Sequence, residues 1–148
     1  MALPERLQDT LDMLELMPDR NERIQLLIDI ANRFQEVPPR LAVRPFGKEH
    51  QVPACESEAY VWGEPRPDGS LDFHFAVENP QGVSAKALAV ILGDTLSGAP
   101  PEQVAAVEQD VVYKIFGNEL SMGKSMGLMG MVSMIKTLAR KVAEGRQG

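Results

Sequence analysis

The chain has 148 residues, a formal net charge of −6, 44% apolar residues and 24% charged residues. That length and mix suit one domain with its own hydrophobic core and exclude a disordered chain. The excess of carboxylates argues against nucleic-acid binding, which relies on cations that neutralise phosphates, and against docking on an anionic membrane surface.

Taken in order, the first third predicts two helices. Leu7, Leu11, Leu14 and Met17 recur at helical spacing until Pro18 interrupts them. Asp19 is placed to cap a second helix, with Glu22 as its capping-box partner and Ile24, Leu27, Ile28, Ala31 and Phe34 as its apolar stripe. Pro38-Pro39 is expected to stop it. Residues 40–53 read as an extended connection carrying Arg40, Arg44, Lys48 and His50. Ser57 to Trp62 then reads as a strand, Ala59 and Val61 on one face and Tyr60 and Trp62 on the other. Pro65 to Ser70 is a turn, and Leu71, Phe73, Phe75 and Val77 alternate along a second strand that pairs back as a hairpin, with His74 on its opposite, solvent face. A third helix opens at Ser84, uses Ala87, Leu88, Ile91, Leu92 and Leu96, and closes at Gly98. Pro101-Glu102 starts a short helix, because Pro suits a first helical turn. Val111 to Phe116 reads as strand or loop. A final helix is expected from about Lys124 to Val142, before a fraying Glu144-to-Gly148 tail. The class is therefore α+β: one domain over 1–148, with a helical region at 1–37, a loop and hairpin at 40–78, and a helical half at 83–145.

The first residues lack a basic segment followed by an apolar one, and no stretch is long and apolar enough to span a bilayer, so a cytoplasmic protein is expected. The single cysteine, Cys55, can form neither an internal disulfide nor a thiolate-rich zinc site. Such a cysteine is commonly just a small buried hydrophobe. Its setting points elsewhere. Pro53 resists regular pairing, Glu56, Ser57 and Glu58 are polar, and Arg44, Lys48 and His50 lie upstream where a folded-back loop would favour a thiolate. Glu56 and Glu58 act in the opposite sense, and the sequence leaves the balance open.

Val52-Pro53-Ala54-Cys55-Glu56-Ser57-Glu58-Ala59-Tyr60-Val61-Trp62 resembles the signature of the SufE family of sulfur-acceptor proteins. Gly82 to Leu88 resembles that family's Lys-containing start of the central helix, Leu96 to Val104 its helix stop and Pro-Glu restart, and Glu119 to Leu128 the approach to its final helix. The resemblance implies that Cys55 accepts persulfide sulfur from a pyridoxal-phosphate-dependent cysteine desulfurase (SufS-like), enhances its turnover, and passes the sulfur to an iron–sulfur scaffold (SufB-like). Pyridoxal phosphate then belongs to the desulfurase and this chain holds no cofactor. Glu56, Glu58, Lys86 and Lys124 are candidate partner contacts, and a homodimer is left open. Glu119, Met122, Lys124 and Tyr60 depart from residues frequent in the family, so no role passes to Glu119.

Other readings are weaker. Gly117 to Ser125 ends in Gly-Lys-Ser, but five residues separate Gly117 from Gly123, where a phosphate-binding loop needs four. His50, Cys55 and His74 have no recognised metal-ligand spacing. Five of the eight methionines fall between Met122 and Met134, a cluster that can mark an adaptable binding surface but reads more simply as core packing. The competing function is an adaptor that binds a desulfurase or scaffold, with Cys55 structural. Exposure of Cys55 separates the two.

Overall fold

A computed structural model describes residues 2–118 and 120–147. Glu119 and Gly148 lie outside the described residues. The element order is α1 (Glu5–Glu15), α2 (Arg20–Ala31), β1 (Ala59–Pro65), β2 (Leu71–Val77), α3 (Val83–Leu96), α4 (Pro101–Ala105), α5 (Val111–Phe116) and α6 (Met122–Gln147). The α+β class is as expected.

Helix α1 buries Leu7, Leu11 and Leu14 of the stripe read from the sequence, while Met17 lies past its end and is only partly buried. Asp19 caps α2 by accepting from the Asn21 backbone N–H at 2.8 Å. No hydrogen bond to the Glu22 carboxylate closes a capping box among the described residues. Asp19→Ala should cost about 1 kcal/mol through the orphaned helix-end donor, read as a lower urea midpoint at unchanged slope. Helix α2 ends at Ala31, well before the two prolines, and buries Leu27, Ile30 and Ala31. Ile24 and Ile28, expected in its stripe, are exposed. The face toward α3 uses only part of the apolar set.

The strands form one antiparallel hairpin that pairs Ala59 with Val77 through to Pro65 with Leu71. Its turn has Gly69 at φ 89°, which glycine adopts without steric cost, and Asp68 accepts from the Ser70 N–H at 2.9 Å. Ala59, Val61, Leu71, Phe73, Phe75 and Val77 join the main core. At its centre lies α3, which packs on α1, α2 and β2 and buries residues around much of its girth, Leu88 and Leu92 completely. The free edge of β2 is covered in places: Val37 N–H donates to Phe75 O at 2.8 Å, Phe73 N–H to Ser97 Oγ at 3.0 Å, and Gly98 N–H to Leu71 O at 2.9 Å. Such cover blunts edge-to-edge association.

Trp62, Ala76 and Val37 form a second small core on the other face, with Leu41, Ala42, Phe46 and Tyr60 against it. Residues 38–50 strap this face and include a 3₁₀ turn, Lys48–His50, where the sequence predicted only extended chain. Phe46 sits 5.1 Å, ring to ring, from Trp62. Arg40 pairs with Glu64, and Arg44 bridges Glu36 and Glu78. His74, expected toward solvent, is half-buried with Nε2 3.1 Å from Glu64 Oε1. Hydrogen bonds from Arg40 and His74 hold the Glu64 carboxyl at about 2, below its ordinary 4.5. A depressed carboxylate stabilises the fold above its unfolded value and loses that contribution as pH falls through the folded one. The strap should therefore loosen between pH 4.5 and about 2. Fluorescence of the single Trp, Trp62, reports it, and Glu64→Gln should lack that step.

Two C-terminal expectations need correction. Val111 to Phe116 is helix α5, neither strand nor loop, because its Val111, Val112 and Ile115 are buried against the neighbouring helices. Packing overrides the β-preference of its Val-Val-Tyr run. Helix α6 starts two residues earlier than expected and continues through Glu144 to Gln147 where a frayed tail was predicted. It packs on α4, α5 and β1.

Candidate functional site

Cys55 lies in a tight loop whose base is a short ladder. Val52 N–H donates to Ala59 O at 2.8 Å, and Gln51 bridges Tyr60. On the other side Glu78 N–H donates to Glu58 O at 3.1 Å and Asn79 N–H to Ser57 O at 3.2 Å. Within the loop, Glu58 N–H donates to Cys55 O at 3.0 Å. Two non-glycine residues, Ala54 at φ 55° and Glu58 at φ 52°, adopt the left-handed region on either side of the cysteine. Each costs on the order of 1 kcal/mol, and such strain gathers at functional sites. The strained tip is held from both flanks.

The thiol is half-buried. One side faces a small pocket of about 20 Å³, lined among others by Ser57, Gln81, Ser84, Lys124, Gly127 and Leu128. That is room for about one water-sized atom. The other side opens on a broad concavity of about 520 Å³ shared with Lys48, Gln51 and Glu56. Cys55 thus has both a compartment and a way out.

Of the predicted site residues, Cys55, Glu56 and Lys124 come together at the small pocket. Glu58 ends the loop, exposed, and lines neither cavity. Lys86 is half-buried in the first turn of α3 and also lines neither. Of the three upstream cations, only Lys48 reaches the cysteine's surroundings. Arg44 is engaged by two carboxylates, and His50 donates from Nδ1 to Val61 O at 3.0 Å while stacking on Trp62. Neither His50 nor His74 lines the cavities beside Cys55, and no group of three or more potential metal-ligating residues occurs among the described residues.

The pocket wall is α6, not Tyr60 or Trp62, which belong to the opposite face. The expectation that the methionine cluster is core holds for Met131, which is fully buried, and for Met129 and Met134, which pack on the core. It fails for Met122 and Met126, 79% and 58% exposed at the start of α6 near the pocket-lining Lys124 and Gly127. The glycines of α6 were missed. Gly123, Gly127 and Gly130 recur at i, i+4 and i+7, a spacing that puts them on one helix face, and an isolated glycine in a helical pattern is a readable signal of close packing.

The fold is thus an α+β domain that presents its single cysteine, half-buried, on a strained loop. The sequence profile of SufE, the Fe-S metabolism associated domain, matches residues 8–139, and the chain belongs to this family. Its role lies in Fe–S metabolism. The fold is similar to a solution structure of a hypothetical protein from Thermus thermophilus, at a TM-score of 0.78 and 22% identity over 97% of this chain and 99% of that one. No curated protein matches the sequence. No helix among the described residues is long and apolar enough to cross a membrane.

Proposed function

We propose that this protein is a cytoplasmic sulfur carrier that accepts persulfide sulfur on Cys55 from a pyridoxal-phosphate-dependent, SufS-like cysteine desulfurase, enhances that enzyme's turnover, and delivers the sulfur to a SufB-like iron–sulfur scaffold. The observation that carries the reading is the placement of Cys55: a half-buried thiol, at the tip of a strained and pinned loop, beside a pocket with room for one further atom.

The chemistry is a thiol displacement. The Cys55 thiolate attacks the terminal sulfur of the desulfurase persulfide. The desulfurase S–S bond breaks as the new Cys55 S–S bond forms, and the desulfurase cysteine leaves as a thiolate that takes up the proton Cys55 gave up. No electrons are gained or lost overall. The only cysteine in the chain leaves no second thiol to collapse the persulfide into a disulfide. Pyridoxal phosphate stays with the desulfurase, and this chain's residues orient and shelter sulfur. Lys124, on the pocket wall, offers a cation near the anion that forms there. Exposed Met122, Met126 and Val83 supply adaptable apolar surface near the cysteine for an incoming protein, with Glu56 as a polar contact on the pocket rim. Glu58 and Lys86 lie outside both cavities and are outer contacts at most.

The test mixes the protein with a cysteine desulfurase and free cysteine and measures its intact mass. The expected product carries one added sulfur that a reducing agent removes. Desulfurase turnover enhanced without any added sulfur would favour the adaptor reading.

A further inference from the structure

An interior glycine costs a helix about 1 kcal/mol relative to alanine, so Gly127 and Gly130, on the same face of α6 as Gly123 in its first turn, call for a cause. The cause lies across from them. A Cβ on Gly130 would stand 3.0 Å from Val52 Cγ1, and one on Gly123 2.8 Å from Glu56 Oε1. At Gly127 the added Cβ would meet Cys55 itself: 3.1 Å from its Cα, 3.3 Å from its Cβ and 3.3 Å from Sγ. The loop thus runs along a trough of bare helix backbone, Val52 over Gly130, Cys55 over Gly127 and Glu56 over Gly123. These neighbours are not equivalent. The Glu56 carboxylate is the far end of a flexible side chain and can swing aside. The Cys55 backbone, held by the ladder at Val52–Ala59 and by Glu78 and Asn79, can yield only by lifting the whole tip.

We infer that Gly127 is a positioning residue for Cys55: by offering no side chain, it sets the depth at which the loop seats on α6 and so keeps Sγ at the mouth of the small pocket, within reach of compact sulfur donors and shielded from bulky ones. The inference rests on the carrier reading for its purpose but not for its geometry. Gly127 touches the thiol-bearing residue and not the sulfur donor, so its influence runs through Cys55.

The experiment compares wild type, Gly127→Ala and Gly145→Ala, the last having open space around its added Cβ. Rates of thiol modification are measured on the free proteins with a small thiosulfonate that transfers a methylthio group, releasing sulfinate, and with a bulky aromatic disulfide. A mere change in stability moves the melting temperature but not the ratio of the two rates. Wild type and Gly145→Ala should share one ratio favouring the small reagent, and Gly127→Ala should lower that preference by roughly threefold or more as the tip lifts. With a desulfurase present, the same variant should lose roughly tenfold in kcat for sulfur uptake with little change in KM for the desulfurase. If Gly127→Ala fails to fold, Gly130→Ala lifts the same loop at its base and should lower the ratio in the same direction. An unchanged ratio in a folded variant overturns the inference. If wild type takes up no sulfur, the carrier reading falls, while the reagent ratio still decides the role of Gly127.

Discussion

Cys55→Ser should fold like wild type and take up no sulfur at all. The hydroxyl is close in size to the thiol, and Cys55 is half-buried and forms no disulfide, so urea unfolding should change little. The chemistry, by contrast, has no substitute. A serine hydroxyl is scarcely ionised at neutral pH, and a transferable sulfane sulfur requires a thiolate acceptor. With no other cysteine in the chain, the loss should be complete, seen as no mass increase after incubation with desulfurase and cysteine. Desulfurase turnover should fall to the level of the desulfurase alone. Equal enhancement by wild type and Cys55→Ser would replace the carrier with an adaptor, because docking alone would then account for the activity.

Leu92→Ala should be strongly damaging to the fold. Leu92 is fully buried in α3, the helix that packs on α1, α2 and β2 together. Removing its isobutyl group forfeits transfer free energy and leaves a cavity that elements meeting on several sides close poorly, for a loss of about 3 kcal/mol. For a chain of this length the midpoint of thermal unfolding should fall by roughly 6–12 °C. Leu16→Ala is the matched control, since Leu16 is 81% exposed and should change stability by less than about 0.5 kcal/mol. Similar losses for the two variants would contradict the placement of the core in α3.

The elements that the sequence made legible are those whose signal is local. The hairpin followed from alternation around a Pro-Asp-Gly turn, α1 from its leucine spacing, the α2 start from Asp19, and the α3 stop from Gly98, which does adopt φ 77°. The misses share one cause. Helix α5 has the composition of a strand and becomes a helix because its buried residues meet other helices. Ile24 and Ile28 are apolar at helical spacing, yet α2 turns a different edge inward. Periodicity names an apolar face but not how much of it a neighbour will cover.

The same division runs through the site. Sequence by itself singled out Cys55, from the residue types around it and from their likeness to the SufE signature, and the family profile covers the same region. It also named Glu56 and Lys124, which the fold brings to one pocket. It had no means to place the upstream cations: Arg44 and His50 were drawn instead into the strap, where carboxylates, a backbone carbonyl and Trp62 satisfy them. Nor did it find Gly127, more than sixty positions from the cysteine in the chain and in contact with it in space. Reactive groups are encoded by residue identity and are visible in a string of letters. The depth of a thiol, the size of the space beside it and the cations near it depend on the approach of distant segments, and only packing in three dimensions decides them.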